Sequence, residues 1–245
     1  MGRMAGFAAV GCVLFGLGCA PGSYADFGLG SAEPVVSGCI GAMGGLERWQ
    51  SVGPIRAQAV VIVYDEVGTA DVSKQDQVID LRAGTIRASA RLPETEWTAK
   101  VTEAGGVSFK SKGPAVPAAV RARHVAALKM ILHRVRGPLN LCGRGERARG
   151  AQPVRVDGMD LIRVPAQDGR GGIAAYYFDA QSCLLRLVTA GADAPGGEGT
   201  VTRYSYRTMA NGLAFPERIS VFRIGRHVLV GDEPVLEVNY HEVSF

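Results

Sequence analysis

Histidine is scarce in this chain. His124, His133, His227 and His241 are its only four, too dispersed to form an HExxH helix or another metal-ligand spacing. With no CxxC pair and no Cys/His cluster, no metal and no cofactor are called for. A GxSxG elbow is missing too, and Ser37, Ser182 and Ser220 have no base close in sequence, so a hydrolase would need a triad assembled from distant positions. The glycine sets Gly38-Cys39-Ile40-Gly41 and Gly143-Arg144-Gly145 lack the strand, spacing and helix of a phosphate loop. Paired carboxylates (Asp65-Glu66, Glu94 with Glu96, Asp232-Glu233) fall at turns or strand ends, where solvated charge explains them better than a glycosidase pair. The expectation is a protein that is not an enzyme, with a hydrolase as the weaker alternative.

Charge of one sign is also lacking. Lys plus Arg number 27 against 23 Asp plus Glu, a formal net charge of +4. The basic residues are scattered except between Arg134 and Arg155, so nucleic acid is not an expected partner. An anionic membrane surface or an envelope protein stays open as a partner. For Arg144, Arg147, Arg149 and Arg155 a solvated loop and a docking patch are the two alternatives.

The one early apolar run, Phe7 to Phe15 behind Arg3, is too short and too glycine-rich for a comfortable membrane span and is expected to be an export signal covering residues 1–25. Ser23-Tyr24-Ala25 puts small residues where a general signal peptidase reads, with cleavage before Asp26. The rival is a lipoprotein signal over residues 1–18, with Cys19 lipidated after Gly16-Leu17-Gly18. The mature protein is expected in the periplasm, or anchored to the outer membrane if Cys19 carries lipid. About 220 residues then remain, enough for a single domain over 26–245. Cys39, Cys142 and Cys183 survive in it; an exported setting permits one disulfide, which the sequence does not pair, and buried free thiols are the alternative.

What the chain does have is strands. The alternating or β-branched segments are Ile55 to Asp65, Asp76 to Arg82, Thr85 to Leu92, Glu96 to Glu103 and Val107 to Lys110. After residue 150 come Pro153 to Val156, Asp160 to Pro165, Ile173 to Asp179, Leu184 to Thr189, Val201 to Thr208, Glu217 to Ile224 and Pro234 to Phe245. The last of these makes Tyr240-His241-Glu242 strand alternation rather than an acid-base pair. Ala83-Gly84, Asp157-Gly158, Ala180-Gln181-Ser182, Asn211-Gly212 and Gly225-Arg226 act as turns, so the strands follow one another as a meander. Gly143 to Gln152 is expected to be an exposed, mobile loop, and Gly191 to Gly199 a disordered one.

Two helices interrupt this pattern. Pro34 to Gln50 is a short candidate, weakened by its glycines. Ala118 to Arg136 is the stronger: Val125, Leu128, Leu132 and Val135 recur at helical spacing, with Ala122 and Ile131 beside them. His124 and His133 are assigned to its polar or hydrogen-bonded positions. About ten or eleven antiparallel strands with two helices predict a mainly β, α+β fold: a strongly curved antiparallel sheet forming an open half-barrel, its concave face covered by residues 118–136 as a helical lid.

With this order, the chain resembles the LolA/LolB type of bacterial lipoprotein-localisation proteins and the broader outer-membrane lipoprotein-sorting-like superfamily. The stretches that carry the resemblance are Ala42-Met43-Gly44-Gly45-Leu46-Glu47-Arg48-Trp49, Asp157-Gly158 between two strands, and Tyr176-Tyr177-Phe178-Asp179 ahead of Leu184-Leu185-Arg186-Leu187. Tyr206-Arg207 followed by Asn211-Gly212-Leu213-Ala214-Phe215-Pro216-Glu217-Arg218-Ile219 completes the set. Together they span most of the mature chain, and each records mainly strand and turn chemistry. The resemblance implies an unclosed barrel with a lid, acting without catalysis to bind or carry lipid or lipoprotein acyl chains in the cell envelope, as a monomer. It also implies a lid-contacting arginine on an early strand, with Arg56, Arg87 and Arg91 as open alternatives. Cavity candidates are the inward alternates Val61, Val63, Ile86, Ala88, Ala90, Trp97 and Val101, together with Val125, Leu128 and Leu132. A ligand-free structural module of the same fold is the second hypothesis.

Overall fold

The computed structural model describes residues 30–91, 95–142, 146–148, 150–168, 172–191, 199–224 and 233–245. The export segment with Cys19 and the Asp26 cut, Leu92, Glu94, Arg144, Arg149, residues 192–198, the Gly225-Arg226 turn, His227 and Asp232 lie outside them.

Among the described residues, thirteen antiparallel strands form one curved, unclosed sheet. The first meander is β1 (Ile55–Tyr64), β2 (Ala70–Asp80), β3 (Thr85–Arg91), β4 (Glu96–Thr102) and β5 (Val107–Lys112). The second runs through β6 (Glu146–Ala148), β7 (Gln152–Val156), β8 (Met159–Asp168), β9 (Ile173–Asp179), β10 (Leu185–Ala190), β11 (Gly199–Thr208), β12 (Ala214–Ile224) and β13 (Glu233–Ser244). The two join where β1 pairs with β13, which leaves β5 and the β6/β7 pair on β8 as the two free edges. Lys110 and Lys112 stand exposed on the β5 edge, where charge discourages a second chain from pairing with it. The strand count exceeds the sequence expectation, partly because the supposed loop from Gly143 to Gln152 contains β6, paired to the end of β8. Its arginine and glycine content hid a short ladder that only the neighbouring strand makes worthwhile.

Alternation sets the faces. On β1 Ile55, Ala57, Ala59, Val61 and Val63 are buried while Arg56 and Gln58 are exposed; on β3 Ile86, Ala88 and Ala90 face in and Arg87, Ser89 and Arg91 face out. The β7–β8 turn uses Asp157 and Gly158 at φ 50° and 78°, both left-handed, as a two-residue hairpin turn requires. A second, smaller cluster of Leu161, Ala175, Tyr177, Leu187 and Val201 lies on the opposite face of the second meander.

The expected helix over Pro34 to Gln50 is two helices, α1 (Glu33–Ala42) and α2 (Leu46–Ser51). Gly44 and Gly45 break it at φ 103° and 94°, and a Cβ on Gly44 would stand 2.7 Å from the Gly212 carbonyl oxygen. The long helix α3 (Ala118–Arg136) coincides with its sequence boundaries, after Pro117 and before Gly137, and continues into a 3-10 turn over Gly137–Cys142. Since β5 and β6 are opposite edges, α3 crosses the concave face between them and packs on β1, β3, β4 and β12. Among the described residues no disulfide joins Cys39, Cys142 and Cys183. Burial pushes the Cys39 thiol far up, which keeps it protonated and unreactive.

Candidate functional site

The side of α3 that meets the sheet carries His124, Ala127, Leu128, Ile131, Leu132, Arg134 and Val135, all buried. This corrects the sequence-based stripe by about one position: Ala122 is exposed and Val125 only half-buried, whereas His124 and Ala127 take the inward places. Spacing alone would have found the face at 124, 127, 128, 131, 132 and 135; discounting the histidine as polar rotated it. His133 is exposed, as expected.

Beneath α3 the first meander offers small side chains. One cross-strand row reads Ala57, Gln77, Ala88, Ala99; the next reads Ala59, Gln75, Ala90, Trp97, with Tyr240 of β13 beyond Ala59. A third row, Ile55, Ile79, Ile86 and Val101, closes the floor toward one end. Alanine instead of leucine or valine here leaves the depth into which a helix can settle. Of the sequence-proposed cavity residues, Val61, Val63, Ile86, Ala88, Ala90, Trp97, Val101, Leu128 and Leu132 are buried in one core cluster, and Val125 packs at its margin. Arg56, Arg87 and Arg91 all lie on the exposed outer face, so none of the three meets the lid.

Running along β2 through the alanines is a polar ladder that apolar patterning could not anticipate. Ser73, Gln75 and Gln77 are 1%, 4% and 1% exposed. Tyr240 Oη donates to Gln77 Oε1 (3.3 Å), Gln77 Nε2 to Gln75 Oε1 (2.8 Å), and Gln75 Nε2 to Ser73 Oγ (2.9 Å). Burial pushes the Tyr240 phenol far above its ordinary value, so it acts here as a neutral donor. The indole Nε1 of Trp97, in the same row as Gln75, is buried without an acceptor.

Side chains tie α3 down at both ends. Arg123 Nη1 lies 3.3 Å from Asp65 Oδ2 in the β1–β2 turn. His124 Nε2 is 3.1 Å from Asp71 Oδ2 but off the N–H axis, so the contact is electrostatic rather than a linear hydrogen bond. The His124 ring is 4.8 Å from that of Trp97, which stacks on Phe109 at 5.5 Å. Burial lowers the His124 pKa, and Asp71 opposes that only in part. Asp65 is held below the usual carboxylate range, first by the Thr69 amide that donates to it at 2.7 Å. At the far end Arg134 reaches Thr200 Oγ1 at 3.4 Å and Arg136 pairs with Glu103.

Between α2, the β2–β3 turn and the end of α3 a half-open cleft of about 410 Å³ is lined by residues including Leu46, Trp49, Leu81, Arg82, Arg136 and Leu139. The serines considered for hydrolysis are spread apart: Ser37 exposed on α1, Ser182 hydrogen-bonded to Asp179 in the β9–β10 turn, and Ser220 buried on β12. No group of three or more His, Cys, Asp or Glu among the described residues could hold a metal ion.

No family model and no curated protein matches this chain. Solved structures do. A DUF1329 family protein from Desulfovibrio piger superposes with a TM-score of 0.55, covering 87% of this chain and 92% of its own at 8% identity. A provisionally assigned outer membrane lipoprotein-sorting protein domain from Vibrio parahaemolyticus gives 0.50, covering 88% and 93% at 11% identity. The chain shares the fold of these two structures. A LolA superfamily protein from Nitrosomonas europaea is also similar, at 0.49 over 87% and 92% with 8% identity. At such identities the likeness concerns the backbone architecture, an open curved sheet with a helix across it.

Proposed function

We propose that this protein binds or carries acyl chains of lipids or lipoproteins in the bacterial cell envelope, without catalysis. The observation that carries the proposal is the alanine-floored concave face under a helix held at its ends by side-chain contacts. Magnitudes make the exchange feasible. Leu128, Ile131, Leu132 and Val135 contribute roughly 1.5–3 kcal/mol each when fully buried, or about 6–12 kcal/mol in all. An acyl chain of about fifteen methylenes contributes about 12 kcal/mol at ~0.8 kcal/mol each. Lid and ligand therefore compete on nearly equal terms, and binding is reversible. The cleft beside Trp49 and Leu139 is the proposed entrance. Export by the segment expected over residues 1–25 would make it a periplasmic protein, and lipidation of Cys19 would make it an anchored acceptor rather than a soluble monomeric carrier.

One observation favours the ligand-free alternative: with α3 docked, Val61, Ile86, Ala88, Val101 and Leu128 are at most 1% exposed. Native mass spectrometry and lipid extraction of protein purified from the envelope separate the two. Co-purifying lipid, or uptake of an acyl probe, is expected. Protein that carries no lipid and takes up no probe contradicts carriage.

A further inference from the structure

We infer that the Gln75–Gln77 ladder receives the carbonyl oxygens of an uncharged ester- or amide-linked acyl ligand, so that recognition inside the half-barrel extends beyond chain burial. The inference rests on the proposed acyl binding and names its ligand class. A trough meant only for hydrocarbon has no need of two buried primary amides, each of which costs free energy unless hydrogen-bonded. Their placement gives access: Ala57 and Ala59 flank them on β1, Ala88 and Ala90 on β3, so nothing larger than a methyl group stands beside either amide along these rows. Once α3 lifts, a ligand lying on the floor meets both.

The unused capacity defines the chemistry. The chain of hydrogen bonds from Tyr240 through Gln77 and Gln75 to Ser73 uses one amide N–H of each glutamine. An amide nitrogen carries two, so Gln75 and Gln77 each keep a second donor. Trp97, 2% exposed and in the row of Gln75, adds an indole N–H with no acceptor. All three unpaired N–H groups are donors, whereas each glutamine oxygen already accepts one bond, so the complement these N–H groups call for is an acceptor. A carboxylate or phosphate also accepts, but among the described residues no Lys or Arg of the sheet faces these rows: Arg56 and Arg87 point outward, and His124 and Arg134 are carried by the helix that leaves. A buried charge without a cation is disfavoured, whereas an ester or amide carbonyl is not.

The test uses a matched pair, a 1-monoacylglycerol and the 1-O-alkylglycerol of equal chain length, which differ only in the carbonyl, with the free fatty acid at pH 8 as the charged arm. Calorimetric titration of the full chain is expected to show the ester binding at least tenfold tighter than the ether and tighter than the fatty acid. In Gln75→Leu/Gln77→Leu the ester-to-ether ratio should fall toward one while ether binding persists; Gln77→Met, a smaller change, should lower the ratio partway, and melting curves confirm folding. Equal affinities in the unaltered protein, an unchanged ratio in the variants, or tightest binding of the fatty acid would overturn the inference and leave acyl carriage standing. Failure of every probe to bind would overturn acyl carriage itself.

Discussion

Over β9 to β13 the concave face is filled by rings, Tyr176, Phe178, Tyr204, Phe215 and Tyr240, whereas over β1 to β4 its two central rows carry five alanines, Ala57, Ala59, Ala88, Ala90 and Ala99. The covers differ in the same way. Helices α1 and α2 join the ring-filled half through main-chain atoms and aromatic edges. Ala214 donates its N–H to the Met43 carbonyl at 3.1 Å, Trp49 Nε1 to the same carbonyl at 3.0 Å, and Trp49 and Phe215 both meet Phe245 edge-on. Helix α3 meets its floor through aliphatic side chains and a few polar side-chain links. Directional bonds to backbone have one geometry, while aliphatic packing on alanine can be replaced by any chain of similar width. One half is thus a fixed core and the other a cavity with its cover in place.

The largest effects should come from striking the fixed half. Trp49→Ala removes an indole that is 4% exposed, together with its bond to Met43, and is expected to lower global stability by about 3–5 kcal/mol in urea titration. Gly44→Val should be comparably disruptive, since a side chain there meets the Gly212 carbonyl in a left-handed backbone. In the lid, Leu132→Ala should cost about 2–5 kcal/mol of docking, and its signature should be local. Hydrogen exchange would rise across Ala118–Arg136 while β9 to β12 stay protected. A uniform rise across both halves would erase the distinction.

A pH effect should be smaller and confined to the lid. Because burial lowers the His124 pKa in the docked state, the undocked helix binds the proton more readily. Docking is therefore at full strength above the ordinary histidine value of about 6.5 and weakens as pH falls through and below it. Exchange of α3 amides should accelerate from pH 7.5 to pH 5.5, and His124→Gln should flatten that response. Smallest of all, Arg136→Ala should change stability by about 0.2–1 kcal/mol, because its pairing with Glu103 is half-exposed.

The sequence disclosed this comparison unevenly. Helix α3 and most strand positions were legible because caps, prolines and period-two alternation are local signals, as in β3, where Ile86, Ala88 and Ala90 alternate with Arg87, Ser89 and Arg91. β2 starts at Ala70, before the Asp76 expected from sequence, because neither face of Val72 to Gln77 is apolar. Its inward set is Ser73, Gln75 and Gln77 and its outward set Val72, Lys74 and Asp76, so charge occurs only on the outward face, beside an exposed valine. His124, expected at a polar or hydrogen-bonded position, is buried beside Asp71, and its spacing to Leu128 and Ile131 marks the inward face. The close approach of the Gly212 carbonyl to Gly44, at the break between α1 and α2, joins residues far apart in the chain. Contacts of that kind leave no trace in local pattern.

The most direct measurement of the central claim is the site of covalent labelling by a photoactivatable fatty-acyl ester bound to the full chain, mapped by peptide mass spectrometry. The account predicts labels on the floor around Ala57, Ala59, Ala88 and Ala90 and on the inward face of α3 near Leu128 and Leu132. Labels among Tyr176, Phe178 and Tyr204, or confined to the outer face beside Arg56 and Arg87, would contradict it.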